Sequence, residues 1–310
     1  MKLPTKTLGL PALALCLAAL AAGCGGGGKK SSSTTALGTT TSAASPAANT
    51  TTNSMIAAEV PAKIKSKGTL TVAADATYAP NEFVGSNGHS VVGMDPDLAG
   101  ALAKVMGLKD KVVNATFDTI IPGLSSGKYD LGMSSFTDTK ARQKVVDFVT
   151  YFSAGTSFYV KAHGGPTINT LADLCGHKVA VERGTTQAAD ATAQSAKCRT
   201  EGKAGVSVLV FPDQNAANLA LSSGRGQVGM ADSPVAAYIV KKSNGQFKLS
   251  GKPYGTAPYG IAIPKGNGMA KPILGALKLL MSSGTYKAIL TKWGIAGGAI
   301  ANPKINGAIS

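Results

Sequence analysis

Apolar residues fall in short blocks along this chain, and the blocks alternate between two periods. Residues 70–74 (Leu-Thr-Val-Ala-Ala) form a compact apolar run that ends on Asp75, which predicts a buried strand. Pro80 stiffens the loop that follows, and residues 85–88 carry the glycines of a hairpin turn. From Pro96 to about Met106 the apolar positions recur three and four apart, which predicts a helix with Asp95 as N-cap and Pro96 at its first position. Asp95 and Asp97 also have the look of a catalytic pair, but the cap accounts for Asp95 more simply. A strand around 112–117, a helix over 120–126 and a strand over 129–133 come next. Strand, helix, strand, helix, strand at this spacing predicts a parallel α/β sheet.

The same alternation returns further on. Residues 156–161 read as a strand crossing out of the first set, 171–176 as a short helix with a glycine stop, and 178–181 as a strand. Residues 183–187 turn into a helix, 206–211 form a strand and 215–223 a helix. Residues 228–230 lead to Asp232, which also stands ready to cap a helix beginning at Pro234. Residues 253–264 form a strand that returns to the first set, and helices over 269–282 and 285–293 close the pattern.

Two of these blocks resemble each other. Residues 124–135 read Leu-Ser-Ser-Gly-Lys-Tyr-Asp-Leu-Gly-Met-Ser-Ser, and residues 221–232 read Leu-Ser-Ser-Gly-Arg-Gly-Gln-Val-Gly-Met-Ala-Asp. The helix-closing Leu-Ser-Ser-Gly, the basic residue after it and the Gly-Met pair coincide, and Ser135 falls opposite Asp232. The bland account is a common helix-to-strand turn used twice. The sharper one is two similar α/β lobes, each ending a strand at a shared cleft. One lobe then offers the hydroxyls of Ser134, Ser135 and Thr137 with Arg142 beyond them, a set suited to a small anion such as a carboxylate. The other offers the Asp232 carboxylate, and Gly184-Thr185-Thr186 at a helix start offers hydroxyls and N–H groups.

The first 54 residues follow neither period. Lys2 and Lys6 precede an apolar run over 8–22, which predicts a secretory signal peptide over 1–23. Its end, Leu-Ala-Ala-Gly-Cys24, resembles the lipobox of bacterial lipoproteins, with Leu20 one place early. That resemblance implies lipid on Cys24. Residues 25–54 are Gly/Ser/Thr/Ala-rich and cannot bury enough surface to offset their ordering entropy, so 24–54 is expected to be a flexible tether.

Charge and cysteines narrow the choices. The formal charge is +15, and loss of Lys2 and Lys6 leaves 29 basic against 16 acidic residues. The basic residues are scattered among few aromatics, so no nucleic-acid partner is expected; a solvated basic surface near anionic lipid suffices. Of four cysteines, Cys16 leaves with the signal and Cys24 is taken by lipid. Cys175 and Cys198 then have only each other in an oxidising compartment, which predicts a disulfide. Cys175 and His177 have no second ligand pair at zinc spacing, so no metal or cofactor is expected.

With those residues in place, a family resemblance stands out. Asp75-Ala-Thr-Tyr78-Ala-Pro80, Gly93-Met-Asp-Pro-Asp-Leu98, the run from Phe117 to Gly127, and Thr137-Asp-Thr-Lys-Ala-Arg142 are similar to the extracellular solute-binding proteins, family 3, over about 60–295. The resemblance implies a type II, two-lobed periplasmic-binding-protein-like α/β fold with two crossover hinge strands. Lobe 1 is then 55–157 with 258–300, lobe 2 is 158–257, and 301–310 is a tail. It implies a monomeric receptor that hands a free polar amino acid to the permease of an ABC importer, outside the cytoplasm and lipid-anchored to the membrane. By the same resemblance Arg142, with Ser135, Thr137, Thr185 and Thr186, holds the ligand α-carboxylate and Asp232 holds its α-ammonium. Tyr78 and Phe117 sandwich the side chain, and Asp75 meets a polar or basic one. The family's Pro-Phe after the tyrosine is Pro80-Asn81 here, with Phe83 two places later, which leaves one pocket wall open. The rival is an exported dehydratase-like enzyme on the same fold, but no nucleophile–base set converges by spacing among His89, His163 and His177.

Overall fold

The computed structural model describes residues 50–309. Two short helices, α1 (Ser54–Glu59) and α2 (Ala62–Lys67), lead into strand β1 (Thr69–Ala74). A small antiparallel sheet follows, made of β2 (Thr77–Tyr78), β3 (Glu82–Val84) and β4 (Val91–Val92). Helix α3 (Met94–Val105), strand β5 (Lys109–Asn114), helix α4 (Phe117–Ser125), strand β6 (Leu131–Gly132) and the short α5 (Lys140–Gln143) complete the first set. β1 pairs in parallel with β5 on one side and β6 on the other.

Strand β7 (Val146–Lys161) then leaves this set. β8 (Lys178–Glu182), α6 (Thr186–Thr200), β9 (Ser207–Phe211), α7 (Gln214–Ser222), β10 (Val228–Asp232) and α8 (Ser233–Lys242) build the second. β11 (Phe247–Pro264) returns, and α9 (Ala270–Ser282) and α10 (Thr285–Lys292) pack on the first set. The main sheet runs β5-β1-β6-β11-β7-β10-β8-β9, so the two lobes share one ribbon of long antiparallel strands, β7 and β11. The register of that pair slips between Ser250 and Tyr254 and again between Tyr254 and Ala257. A bulged, narrow ribbon is where such a molecule bends most cheaply.

Strand alternation explains the two-faced packing. In lobe 1, Val72, Ile261 and Ile263 face α3 and α9, with Leu98, Leu102, Ile273 and Leu277. The intervening Ala73 and Ala262 face α4, with Ile120, Leu124 and Phe136. In lobe 2, Phe158, Val160, Val179, Val181, Val228 and Met230 pack on α6, while Tyr159, Ala231 and Val235 form a separate cluster on the opposite face. Tyr78 of lobe 1 joins this last cluster, so the lobes touch there through one aromatic side chain.

The two Leu-Ser-Ser-Gly turns have the same structure. Each ends a helix with a left-handed glycine, Gly127 at φ 76° and Gly224 at φ 78°, and each feeds the next parallel strand. Asp95 is not an N-cap. Helix α3 starts two residues earlier than its proline suggests, because the Met94 and Asp95 N–H groups find acceptors in the Pro80 and Asn81 carbonyls. Cys175 and Cys198 form the expected disulfide, joining the turn after a 3₁₀ segment (Leu171–Leu174) to α6. No helix among the described residues is long and apolar enough to cross a membrane. The signal region, Cys24 and most of the tether lie outside the described residues.

Candidate functional site

The carboxyl ends of β1, β6, β8 and β10 converge where the lobes meet, and a narrow cavity lies between them. All ten residues singled out from the sequence line it. Lobe 1 contributes Asp75, Tyr78, Phe117, Ser134, Ser135, Thr137 and Arg142; lobe 2 contributes Thr185, Thr186 and Asp232. Three more lining residues escaped the sequence reading: Glu82, Glu182 and Gln187.

Arg142 sits just after Thr139, whose hydroxyl caps the short α5 by accepting from the Arg142 N–H. Its guanidinium donates from Nη1 to the Thr137 carbonyl at 2.8 Å, and from Nη2 across the lobe boundary to the Gly184 carbonyl at 3.0 Å. It lies 5.4 Å from the ring centres of both Phe117 and Phe136, which stack on each other at 4.5 Å. Burial lowers its pKa to about 10, so it stays charged at neutral pH. Among the described residues it forms no ion pair.

Asp232 ends β10 in the other lobe and does not cap α8, despite standing at its N-cap position. Its Oδ1 accepts from the Gln187 amide at 2.7 Å, and its backbone N–H donates to the Tyr78 hydroxyl at 2.9 Å. Burial raises its pKa to about 6, while the neighbouring Tyr259 hydroxyl, Gln187, Tyr78 and the charge of Arg142 pull the other way. Arg142 and Asp232 thus feel one another across the cavity, yet each keeps a charge to offer.

Not every predicted side chain is free for a ligand. The Thr185 hydroxyl caps α6, accepting from the Ala188 N–H and donating to the Glu182 carbonyl. Thr186 leans on the Gln187 side chain at 3.4 Å. Asp75 accepts from the Thr77 hydroxyl and from the Phe117 N–H, so it orients the first turn of α4 and the Phe117 ring. Burial raises its pKa, and those two bonds oppose the rise.

The serine hydroxyls serve a carboxylate of the protein. Ser134 donates to Glu82 Oε1 at 3.1 Å and Ser135 to Oε2 at 3.2 Å. Ser135 has a left-handed backbone at φ 52°, and its N–H donates to Asp95. Asn81, the departure from the family pattern, is buried and donates to the Ser135 hydroxyl. Burial and the nearby Asp95 carboxyl push Glu82 well above the usual carboxylate range. Glu82 gave little sign of itself in the sequence, since it lies between a turn and a hairpin. Glu182 does carry a sign in the sequence: it is an acid that ends an apolar strand, as Asp75 and Asp232 do.

Other interlobe contacts close the mouth. Gln214 N–H donates to the Thr77 hydroxyl at 3.2 Å, and Arg183 stands 3.9 Å from Asp118. Gly184 has φ 78°, and a Cβ there would stand 3.0 Å from that of Asp118. The close approach of the lobes depends on that missing side chain. The described residues hold no cluster of acids, cysteines and histidines suited to a metal ion.

A cleft of this kind, with opposite charges on two lobes joined by two crossing strands, is the plan of a two-lobed binding protein. The chain belongs to the bacterial extracellular solute-binding proteins, family 3, whose profile matches residues 70–296. It is 34% identical over 252 residues to the arginine-binding protein ArgT of Corynebacterium glutamicum, covering 81% of this chain and 82% of that one. An ancestral arginine-binding protein bound to arginine is 40% identical, with a TM-score of 0.66 over 73% of this chain and 98% of that one. The ancestral amino acid-binding protein AncCDT-1, a precursor of cyclohexadienyl dehydratase, is 36% identical, with a TM-score of 0.64 over 74% of this chain and 97% of that one.

Proposed function

We propose that this chain is the extracytoplasmic substrate-binding protein of an amino-acid ABC importer. It closes on a free amino acid and presents the closed form to a membrane permease. Arg142 takes the α-carboxylate and Asp232 the α-ammonium. Phe117 and Tyr78 bound the side chain, Asp75 holds the Phe117 wall in place, and Thr137, Thr185 and Thr186 line the carboxylate end. One observation carries this reading: a guanidinium and a carboxylate from different lobes line one buried cavity without pairing with each other. Only the closed arrangement satisfies both ends of a zwitterion, and that differential affinity is what shifts the hinge.

Isothermal calorimetry against the twenty amino acids tests it. Each charge-assisted hydrogen bond contributes about 1.5–3 kcal/mol. Arg142→Ala should therefore weaken the preferred ligand by about 100-fold or more while circular dichroism stays unchanged. Near-normal affinity in that variant would overturn the assignment.

Several finer points rest on the sequence. Residues 55–157 with 258–300 are taken as lobe 1 and 158–257 as lobe 2; hydrogen exchange should show two protection units with those limits. The Leu-Ala-Ala-Gly-Cys run supports cleavage and lipid on Cys24, which the intact mass of the mature protein checks. A monomer is expected, which sedimentation tests. The family and its named relatives support binding rather than catalysis. Turnover of a prephenate-type acid would favour the dehydratase-like reading instead, given the AncCDT-1 likeness.

A further inference from the structure

The cavity holds more acid side chains than a zwitterion needs. Asp75, Glu82, Glu182 and Asp232 line it against the single cation Arg142. Three of these acids already accept hydrogen bonds from the protein. Asp75 takes the Thr77 hydroxyl and the Phe117 N–H, Glu82 takes two serine hydroxyls, and Asp232 takes the Gln187 amide. Glu182 is different. It is 2% exposed, and its Oε1 is buried with no hydrogen-bond partner. It ends strand β8, opposite the lobe 1 wall built by α4. A buried carboxyl oxygen without a donor is costly unless something supplies one.

We propose that Glu182 is the specificity residue that receives a cationic ligand side chain, a guanidinium or an ammonium, at the far end of an amino acid held by Arg142 and Asp232. The inference rests on the amino-acid reading above and names the substrate class of that site. Its surroundings favour the protonated form of Glu182. Burial, and then the charges of Asp75, Asp213, Asp232 and Asp118, push its pKa well above the usual range. Arg183 beside it is turned toward Asp118, 3.9 Å away. A neutral ligand leaves Glu182 protonated, with its oxygen unmet. A cationic one supplies donors to that oxygen and drives the proton off to solvent, so the pair forms as carboxylate and cation.

The test compares L-arginine with L-citrulline, which has the same length and a neutral ureido end. Calorimetry is run on the mature protein and on Glu182→Gln, which mimics the protonated acid and should fold normally. The unaltered protein should prefer arginine by about 100-fold. Glu182→Gln should weaken arginine at least tenfold and leave citrulline within about threefold. Arginine binding should release more protons than citrulline binding, read from enthalpies in buffers of different ionisation heat. That difference should vanish in the variant.

Equal losses for both ligands in Glu182→Gln, or no loss for arginine, overturn the inference. So does an arginine-to-citrulline ratio that collapses with Asp75→Asn and not with Glu182→Gln. A protein that prefers citrulline or glutamine over arginine overturns it too, but leaves the amino-acid reading standing. If no amino acid binds, both fall.

Discussion

At the scale of single residues, Arg142 and Asp232 are held in complementary ways. The Arg142 fork is aimed by the Thr137 and Gly184 carbonyls, so its remaining donors are already oriented toward the cavity. Asp232 is kept reluctant to ionise by burial. The sign of its pH effect follows. With a folded pKa of about 6 against an ordinary value of 3.8, the native state holds an extra proton between those limits. Ligand-free stability should therefore fall as pH rises from about 4 to about 6, by roughly 3 kcal/mol from this group. Urea melts of the protein and of Asp232→Asn should differ by that slope. Binding runs the other way, because an α-ammonium needs the carboxylate. Affinity for a ligand with a neutral side chain should drop about tenfold per pH unit below 6. A pH-independent affinity between 5 and 7 would place the ammonium elsewhere. Charged residues at strand ends were readable from the chain. Which of them are spent on the protein's own hydroxyls and amides was not, because the donors to Glu82 come from residues about fifty positions away.

At the scale of elements, the repeated turn was legible because it is local: a helix end, a left-handed glycine and a strand lie within a dozen residues. The start of α3 was misread because its capping groups are the carbonyls of Pro80 and Asn81, in a different element. The disulfide fastens the first turn of lobe 2 to α6 across 23 positions. Closing a loop of that size stabilises by about 3 kcal/mol in the chain-entropy model. Cys175→Ser with Cys198→Ser should lower the urea midpoint accordingly. The bridge joins lobe 2 to itself, in a cluster separate from the cavity, so ligand affinity should stay within about threefold. A large affinity loss with unchanged stability would show that the bridge tunes the site instead.

At the scale of the whole molecule, closure and hinge share one ribbon. The part of β7 in lobe 1 pairs with β11 on one side, and the chain's end covers the other. Thr150 N–H donates to the Lys304 carbonyl, Lys304 N–H to the Thr150 hydroxyl, Asn306 N–H to the Phe148 carbonyl, and Phe148 N–H to Asn306 Oδ1. The segment expected to be a tail is thus bonded to the first of the two crossing strands. At about 0.5–1.5 kcal/mol for each of these four bonds, deleting residues 301–310 should cost roughly 2–6 kcal/mol. The fall in thermal midpoint should appear with and without ligand. An unchanged midpoint would mean that the segment is detached in solution.

The sequence by itself determined the order of strands and helices, the two-lobed plan and the residues that end strands at the cleft. Periodicity and turn glycines are written locally, and folding shifts only element ends such as the start of α3. Only the tertiary structure decided which acids are already partnered and which one is left over, and where the last residues go. Those depend on atoms brought together from distant parts of the chain. In a buried cavity the free energy of a charge is set by its neighbours, and its neighbours are set by the fold.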